Sequence, residues 1–266
     1  MKCTELSNKI MNELKIRGAK DKKIYIIQIG DRKDSNVYIR NKIKKCEELG
    51  IDYEVFKFKE DEMSNEFLNT IVDLYSKANA PLFIQLPLPA HLDEDIVHKI
   101  GYNVDIDGFS YETLGRIVTG HSDKYPCTPK GILTILESIT DLEGKDVLII
   151  NRNFHIGKTL ALMLIDKDCT VTVAHSKTRK LQDKIDNADI IVTAIGKAKY
   201  FNADNFKQGQ IVIDVSINID ENGKMCGDID KNAYSELDEK GVIYTEVPNG
   251  VGVMTTTSLM QQIIEL

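Results

Sequence analysis

The chain has 266 residues, of which 42% are hydrophobic and 28% charged, so it can build folded cores and lacks the bias of a disordered protein. Its 34 Lys and Arg against 41 Asp and Glu give a net charge of −7, which argues against nucleic acid or an anionic membrane as partner. Without a secretory signal or an apolar run of membrane-spanning length, the sequence predicts a cytoplasmic protein.

The cysteines and histidines carry no metal or disulfide signature. Five cysteines form no CxxC pair, and the five histidines lack spacings such as HExxH. We therefore expect most of the cysteines to be buried as small apolar residues, and we expect no metal site.

In the first half of the chain, apolar runs bounded by turn residues alternate with segments of helical period. Strands joined by helices are typical of parallel α/β sheets. The pattern predicts strands at 23–29, 53–58 and 81–86, helices at 34–49 and 64–77, and then a short acidic helix and a polar turn at 103–109.

A second α/β unit follows a stretch at 120–129 that has two prolines and no apolar period. We expect two α/β domains with mostly parallel sheets flanking a cleft, the second being Rossmann-like: residues 1–122 with a returning C-terminal helix at 253–266, and residues 123–252. Strands are predicted at 146–150, 170–174, 189–195, 210–215 and 242–244, and a final amphipathic segment at 254–266.

One polar ridge on the first predicted helix consists of Ser35, Tyr38 and Lys42, which share a helix face by their spacing. Burial or nearby positive charge would lower the pKa of Lys42 and allow proton transfer near neutrality. Tyr and Lys at this spacing are also common on solvated helix faces. They occur in short-chain dehydrogenases too, but the glycine-rich turn of those enzymes is missing before Tyr38.

Two further polar groups end or follow the strand at 81–86. Gln85 lies at its carboxyl end, the edge at which open α/β sheets bind ligands. A role in binding and a bond to the loop backbone are equally compatible with that place. The acidic pair Asp105 and Asp107 before Gly108 indicates a turn or half of a metal site, and no third acidic ligand lies near in sequence.

The turn after the strand at 146–150 stands where dinucleotide folds place G-x-G-x-x-G, and it keeps the last glycine, Gly157. Asn151 and Asn153 occupy the earlier places, and Asn tolerates left-handed backbone angles. The next strand ends near Ser176 without the acid that holds an NAD ribose. Together with Arg152, Ser176 indicates a 2′-phosphate and therefore NADP.

In chain order these motifs resemble the bifunctional methylenetetrahydrofolate dehydrogenase/cyclohydrolase family over nearly the whole chain. The resemblance implies NADP-dependent oxidation of 5,10-methylenetetrahydrofolate and hydrolysis of the methenyl product to 10-formyltetrahydrofolate, in a homodimer of one-carbon metabolism that serves purine and amino-acid biosynthesis. The matching blocks are Ser35 to Ile51, Gln85-Leu-Pro-Leu-Pro89, Asp105-Ile-Asp107-Gly-Phe109, Pro126-Cys-Thr-Pro129, His175-Ser-Lys-Thr178, Ile213 to Asn218 and Gly250 to Thr255.

The resemblance also implies residue roles. Lys42 would be the catalytic lysine, held by Gln85, while Tyr38 packs on the folate and Asp107 binds its pterin ring. The residues implied on the NADP side are Asn151, Arg152, Asn153, Ser176 and Ile217.

Departures from the family pattern lie mostly on the cofactor side. Asn151 and Asn153 flank Arg152 in place of Gly and Ser, Ser216 replaces a glycine, and Asn249 stands in a loop usually written Pro-Gly-Gly. A cyclohydrolase with weak or lost dehydrogenase activity therefore stays open. So do another two-domain NADP dehydrogenase resembling shikimate dehydrogenase and a catalytically idle folate-binding or regulatory protein.

Overall fold

The computed structural model describes residues 1–266, except for the side chain of Asp34. The chain forms two compact units. The first unit comprises residues 9–127 and 256–266, and the second comprises residues 1–8 and 128–255. Helices α1 (Thr4–Arg17) and α9 (Val251–Glu265) each contribute residues to both units.

The first unit is built on a parallel sheet of three strands, in the order β2-β1-β3. The strands are β1 (Lys23–Ile29), β2 (Asp52–Phe58) and β3 (Leu82–Ile84). The central β1 pairs with both other strands, and three of its isoleucines are almost completely buried. A parallel bridge from Leu82 to Asp105 continues the sheet beyond β3. It brings the chain after Asp105 to the edge where β3 ends.

Helices connect these strands as the sequence pattern predicts. Helix α2 (Lys33–Leu49) ends at Gly50, which takes a left-handed φ of 69°, a conformation that favours glycine. Helix α3 (Asn65–Lys77) begins after Ser64, whose Oγ accepts a hydrogen bond from the Phe67 N–H. The short acidic helix after β3 is a 3-10 helix, Glu94–Lys99, and α4 (Tyr111–Val118) follows the polar turn.

The second unit contains a five-stranded parallel sheet in the order β10-β7-β6-β4-β5. This is the doubly wound order 2-1-3-4-5, in which ligands bind where successive crossovers diverge, at the carboxyl ends of the first and third strands. In this chain those strands are β4 and β6. The sheet consists of β4 (Asp146–Ile150), β5 (Thr170–Ala174), β6 (Ile190–Thr193), β7 (Ile211–Asp214) and β10 (Ile243–Tyr244).

Four helices and a hairpin complete the second unit. The sequence pattern missed the hairpin of β8 (Asn218–Ile219) and β9 (Met225–Cys226), whose strands are too short to show a period. It also missed α1, although Ile10, Met11 and Leu14 recur there at a helical spacing and are buried. Helix α9 begins three residues before the predicted segment. The helices are α5 (Cys127–Glu137), α6 (Thr159–Ile165), α7 (Leu181–Asp186) and α8 (Tyr234–Glu239).

Two expectations from composition can be compared with the structure. All five cysteines are buried, as predicted. Over the part of the chain that the structure describes, the helices are too short or too polar to cross a bilayer.

Candidate active site

The first unit holds a buried lysine in fixed surroundings. Lys42 lies in α2 with only 8% of its surface exposed. Its Nζ donates a hydrogen bond of 3.0 Å to Oε1 of Gln85, and the same nitrogen lies 3.4 Å from the ring centroid of Phe83 in β3. The polar ridge predicted from spacing is therefore not a solvated face at Lys42.

Gln85 can hold the lysine because the sheet fixes its backbone and the loop fixes its amide. The Gln85 N–H donates to the Ile27 carbonyl of β1 at 2.9 Å, which extends the β1–β3 pairing by one residue. Its Nε2 donates to the Leu86 carbonyl at 2.5 Å, so its Oε1 is directed toward Lys42. Gln85 thus serves both the loop backbone and the lysine, the two possibilities open from sequence.

Burial and opposite charge act on Lys42 and Asp107. Burial lowers the pKa of Lys42 to about 8, and the negative charge of Asp107 opposes this shift. Burial raises the pKa of Asp107 to about 6, while the positive charge of Lys42 opposes it. Each group therefore titrates within about one to two units of neutrality, the range that general acid–base chemistry requires.

The turn that carries Asp107 is built by the carboxylate of Asp105. Its oxygens accept hydrogen bonds from the backbone N–H groups of Gly108 at 2.8 Å, Phe109 at 3.2 Å and Ser110 at 2.8 Å, and from Thr113 Oγ1 at 2.7 Å. With its oxygens so engaged, Asp105 is a structural anchor rather than a metal ligand.

A glutamine from α9 holds the other side of this turn. Gln262 is 3% exposed, and its Nε2 donates to the Ile106 carbonyl at 2.9 Å and to Cys127 Sγ at 3.5 Å. Its Oε1 accepts from the Tyr125 N–H at 2.7 Å. The backbone immediately before Asp107 is thereby tied to the segment that begins α5.

Tyr38 lies one helical turn before Lys42 and is 39% exposed, whereas Ser35 is buried. Spacing of three and four residues places all three along one side of α2. The structure therefore brings Lys42 and Gln85 into contact, places Asp107 within electrostatic reach of Lys42, and leaves the Tyr38 ring accessible beside them.

In the second unit, the turn after β4 is organised by asparagine side chains. Asn151 Nδ2 donates to the Ala194 carbonyl at 2.8 Å, across the point where β4 and β6 diverge. Asn151 Oδ1 accepts from the Asn153 N–H at 2.9 Å, and Asn153 Oδ1 accepts from the Ile156 N–H at 3.0 Å. These bonds close the turn and cap the helix that follows.

The reason that the sequence offered for these asparagines is wrong. Neither Asn151 nor Asn153 has a positive φ in the backbone that the structure describes; their side-chain hydrogen bonds shape the turn instead. Left-handed backbone does occur at Asn249, with a φ of 77°, so this residue can replace a glycine. Gly157 is required sterically, because a Cβ there would lie 2.0 Å from the Asn151 carbonyl oxygen.

Arg152 and Ser176 are both exposed at the same edge of the sheet. Ile150 of β4 and Ala174 of β5 are paired in the parallel ladder. Arg152 lies two residues after Ile150, and Ser176 lies two residues after Ala174. Both residues therefore lie just beyond the carboxyl ends of the neighbouring strands β4 and β5.

Ile217 is exposed, and the residues on either side of it are hydrogen-bonded to one carboxylate. Ser216 Oγ donates to Asp228 Oδ2 at 2.8 Å, and Asn218 Nδ2 donates to Asp228 Oδ1 at 3.1 Å. The buried Asp228 also accepts from Thr193 Oγ1 at 2.7 Å and from the backbone after β6. One carboxylate therefore organises the loops after β6 and β7.

Sequence reasoning missed Phe83, Gln262 and Asp228. Phe83 lies in an apolar strand, where a phenylalanine is expected as a core residue and does not indicate a contact with a lysine. From sequence, Gln262 is expected on the polar side of an amphipathic helix, and Asp228, beside Gly227, is expected in a surface turn. Their partners lie between 10 and 156 residues away, and local patterns do not contain such pairings.

These features are those of a two-unit α/β enzyme, with a dinucleotide-type turn in one unit and a buried lysine of lowered pKa in the other. Residues 126–266 match the model of the tetrahydrofolate dehydrogenase/cyclohydrolase NAD(P)-binding domain, and residues 1–107 match the catalytic domain of that family. The chain belongs to the tetrahydrofolate dehydrogenase/cyclohydrolase family.

Individual relatives agree with this assignment. A bifunctional protein FolD of Clostridium botulinum is 40% identical, over 98% of this chain and 95% of the relative. The crystal structure of the bifunctional FolD enzyme from Campylobacter jejuni superposes with a TM-score of 0.92 at 34% identity, covering 98% of this chain and 95% of that one.

A more distant structure holds ligands. The Trypanosoma brucei FolD enzyme, complexed with NADP cofactor and inhibitor, has a TM-score of 0.87 at 26% identity and covers 99% of this chain and 95% of that one. Shikimate dehydrogenase from Aquifex aeolicus is only 14% identical, with a TM-score of 0.50, and so shares the fold alone. The expected family and fold class are confirmed, and the shikimate dehydrogenase alternative is not supported.

Proposed function

We propose that this chain is a bifunctional enzyme that oxidises 5,10-methylenetetrahydrofolate with NADP and hydrolyses the methenyl product to 10-formyltetrahydrofolate. The observation that carries the proposal is the buried Lys42 amine, held by Gln85 and facing the charge of Asp107. We assign the folate chemistry to residues 1–122 with 253–266, and NADP binding to residues 123–252.

Lys42 is suited to the water step because burial changes its protonation. With a pKa of about 8, about one amine in ten is neutral at pH 7, which is about 300-fold more than for an unperturbed lysine. The neutral amine takes a proton from the water that attacks the methenyl carbon. The resulting ammonium returns that proton to the ring nitrogen whose bond to this carbon breaks, and the hydroxyl proton goes to solvent as the formyl group forms.

The other three residues bind and orient the folate in this proposal. Tyr38 offers an accessible ring one turn from Lys42 and packs on the folate. Asp107, held by the turn that Asp105 builds, accepts hydrogen bonds from the pterin ring. Gln85 keeps the Lys42 amine in one position, because its own amide is fixed by the Leu86 carbonyl. Such fixed placement is a large part of what an enzyme supplies.

The second unit fits a dinucleotide. Gly157 leaves the turn after β4 without a side chain where a Cβ would collide with backbone, and the turn lies at the diverging strands that bind ligands in this sheet order. NADP bound in this unit would supply the acceptor for the hydride of the methylene carbon. Arg152 and Ser176 supply charge and a hydroxyl for its 2′-phosphate, Asn151 and Asn153 shape the pyrophosphate turn, and Ile217 lines the nicotinamide side.

An absorbance assay of both reactions, run with NADP and then with NAD, tests the proposal. The wild-type chain should form methenyltetrahydrofolate with NADP and hydrolyse it. Lys42→Met should reduce hydrolysis to the uncatalysed rate, because methionine cannot accept the proton that the Lys42 amine takes from the attacking water. Lys44→Met, on the exposed side of the same helix, is the matched control and should keep wild-type rates.

The outcomes separate the remaining alternatives. Hydrolysis without NADP-dependent oxidation would identify a cyclohydrolase that has lost its dehydrogenase activity, and absence of both would identify a folate-binding protein. Wild-type hydrolysis by Lys42→Met would overturn the role of Lys42. The homodimer and the cytoplasmic location remain predictions, which light scattering and cell fractionation test.

A further inference from the structure

An aromatic ring lies directly against the buried amine. Phe83 is the middle residue of β3 and is 3% exposed, so its ring is fixed by the sheet. Its centroid lies 3.4 Å from Lys42 Nζ, well inside the distance of about 6 Å at which a ring face attracts a cation. Gln85, two residues further along the chain, accepts a hydrogen bond from the same nitrogen.

We propose that Phe83 is a positioning residue for Lys42, and that its ring face and the Gln85 oxygen together hold the amine and favour its protonated, proton-donating form. The inference rests on the proposed role of Lys42 in hydrolysis. It assigns to Phe83 an electrostatic contribution that an aliphatic residue in the same strand would not make.

The ring differs in kind from the other groups that face Lys42. Asp107 on the turn, Cys46 on α2 and Cys127 at the start of α5 also interact with the amine electrostatically. Burial raises the pKa of Cys46 to about 12, so this thiol is uncharged at neutral pH. Lys45, one helical turn further on, donates to Thr257 Oγ1 at 2.6 Å.

This difference matters for a residue that must first take a proton and then deliver it. A carboxylate beside the ammonium can accept the proton and divert it from the substrate. A phenyl ring attracts the ammonium but has no basic atom that can accept the proton. Phe83 therefore offsets part of the desolvation cost that burial imposes on the charged amine. The proton stays on Lys42 and remains available for the leaving nitrogen.

The test measures the Lys42 amine directly. The ε-carbon signals of ¹³C-labelled lysine are titrated by NMR, and the Lys42 signal is assigned by its loss in Lys42→Met. Phe83→Leu should lower the pKa of Lys42 by about one unit, the shift that corresponds to a desolvated cation–π contact. The acid limb of the pH profile for methenyl hydrolysis should move to lower pH by the same amount.

A second variant separates the ring's charge distribution from its shape. Pentafluorophenylalanine incorporated at position 83 keeps a ring of similar shape but reverses the sign of its face, so it should lower the Lys42 pKa at least as much as leucine does. It also carries the test if Phe83→Leu fails to fold. Phe58→Leu, at the end of β2 in the same sheet, is the control and should leave both titrations unchanged.

An unchanged Lys42 titration in the fluorinated protein would overturn the proposal, even if Phe83→Leu shifted it, because packing alone would then explain the leucine result. Failure of the proposed function has a different signature. If Lys42→Met still hydrolyses the methenyl substrate, the role of Lys42 is wrong, whereas the NMR titration still reports whether the ring stabilises the ammonium.

Discussion

Gln262→Met tests whether the α9 glutamine holds the turn that carries Asp107. Methionine has a similar length but cannot donate or accept the three hydrogen bonds that Gln262 makes. The buried Ile106 carbonyl keeps the weak thiol donor of Cys127, at 3.6 Å. The half-buried Tyr125 N–H loses its acceptor.

The expected loss follows from these contacts. A polar group that is buried without its partner costs about 1–3 kcal/mol. Since Ile106 keeps a weak donor and Tyr125 is only half-buried, we expect a loss of about 2–4 kcal/mol for the pair. Because Asp107 follows Ile106 directly, the KM for the methenyl substrate should also rise, whereas the affinity for NADP should not change.

The assay is urea unfolding followed by tyrosine fluorescence, which is suitable because the chain has ten Tyr and no Trp. Gln261→Met is the matched control on the same helix. The Gln261 Oε1 is buried without a hydrogen-bond partner among the side chains that the structure describes, so its removal should be neutral or slightly stabilising. Equal losses in the two variants, or no loss in Gln262→Met, would refute the reasoning.

Three further predictions concern cofactor choice, the nucleotide turn and pH. Arg152→Ala should reduce the use of NADP about tenfold, which corresponds to about 1.4 kcal/mol, and leave the use of NAD almost unchanged; an equal effect on both in steady-state kinetics would contradict the assigned phosphate contact. Gly157→Ala should abolish NADPH binding, measured by fluorescence titration, while hydrolysis persists, because its Cβ would lie 2.0 Å from the Asn151 carbonyl oxygen. Normal NADPH binding by this variant would contradict the assignment of this turn to the dinucleotide. The raised pKa of Asp107, about 6 against an ordinary value of 3.8, means that the folded protein binds more protons than the unfolded chain between these values. Its contribution to stability is therefore present at low pH and lost as pH rises through 6, so Asp107→Asn should flatten the pH dependence of the urea midpoint between pH 4 and 7, and an unaltered slope would exclude this linkage.

Local pattern predicts the elements well where hydrophobic period and chain pairing agree. β1, β4 and β5 have the predicted bounds, because every residue in these runs takes part in the ladder. β6 stops at Thr193, before the predicted end at 195. Beyond it the Ala194 carbonyl accepts from Asn151, and the Ile195 N–H donates to Asp228, so side chains replace the neighbouring strand as partners.

The site divides in the same way. Gln85 is recognisable because it is a polar residue at the end of an apolar strand, whereas Lys42 stands in a lysine-rich helix and is singled out by the family resemblance. Phe83 and Gln262 are not recognisable, since a buried phenylalanine and a glutamine on an amphipathic helix each fit their element without any ligand or partner. What they do depends on which atoms the fold places opposite them, and this is decided by packing rather than by local propensity.

The Asp228 carboxylate has a consequence for how the second unit meets its nucleotide. Ser216 Oγ accepts from the Gly196 N–H at 3.1 Å and donates to Asp228 at 2.8 Å, so two loops that could otherwise fluctuate separately are cross-linked through one hydroxyl. Loops that are ordered during folding lose no further conformational entropy when a ligand arrives. The Ser216 hydroxyl therefore shifts the entropic cost of ordering these loops from ligand binding to folding. The loops are already in a fixed conformation when the ligand binds.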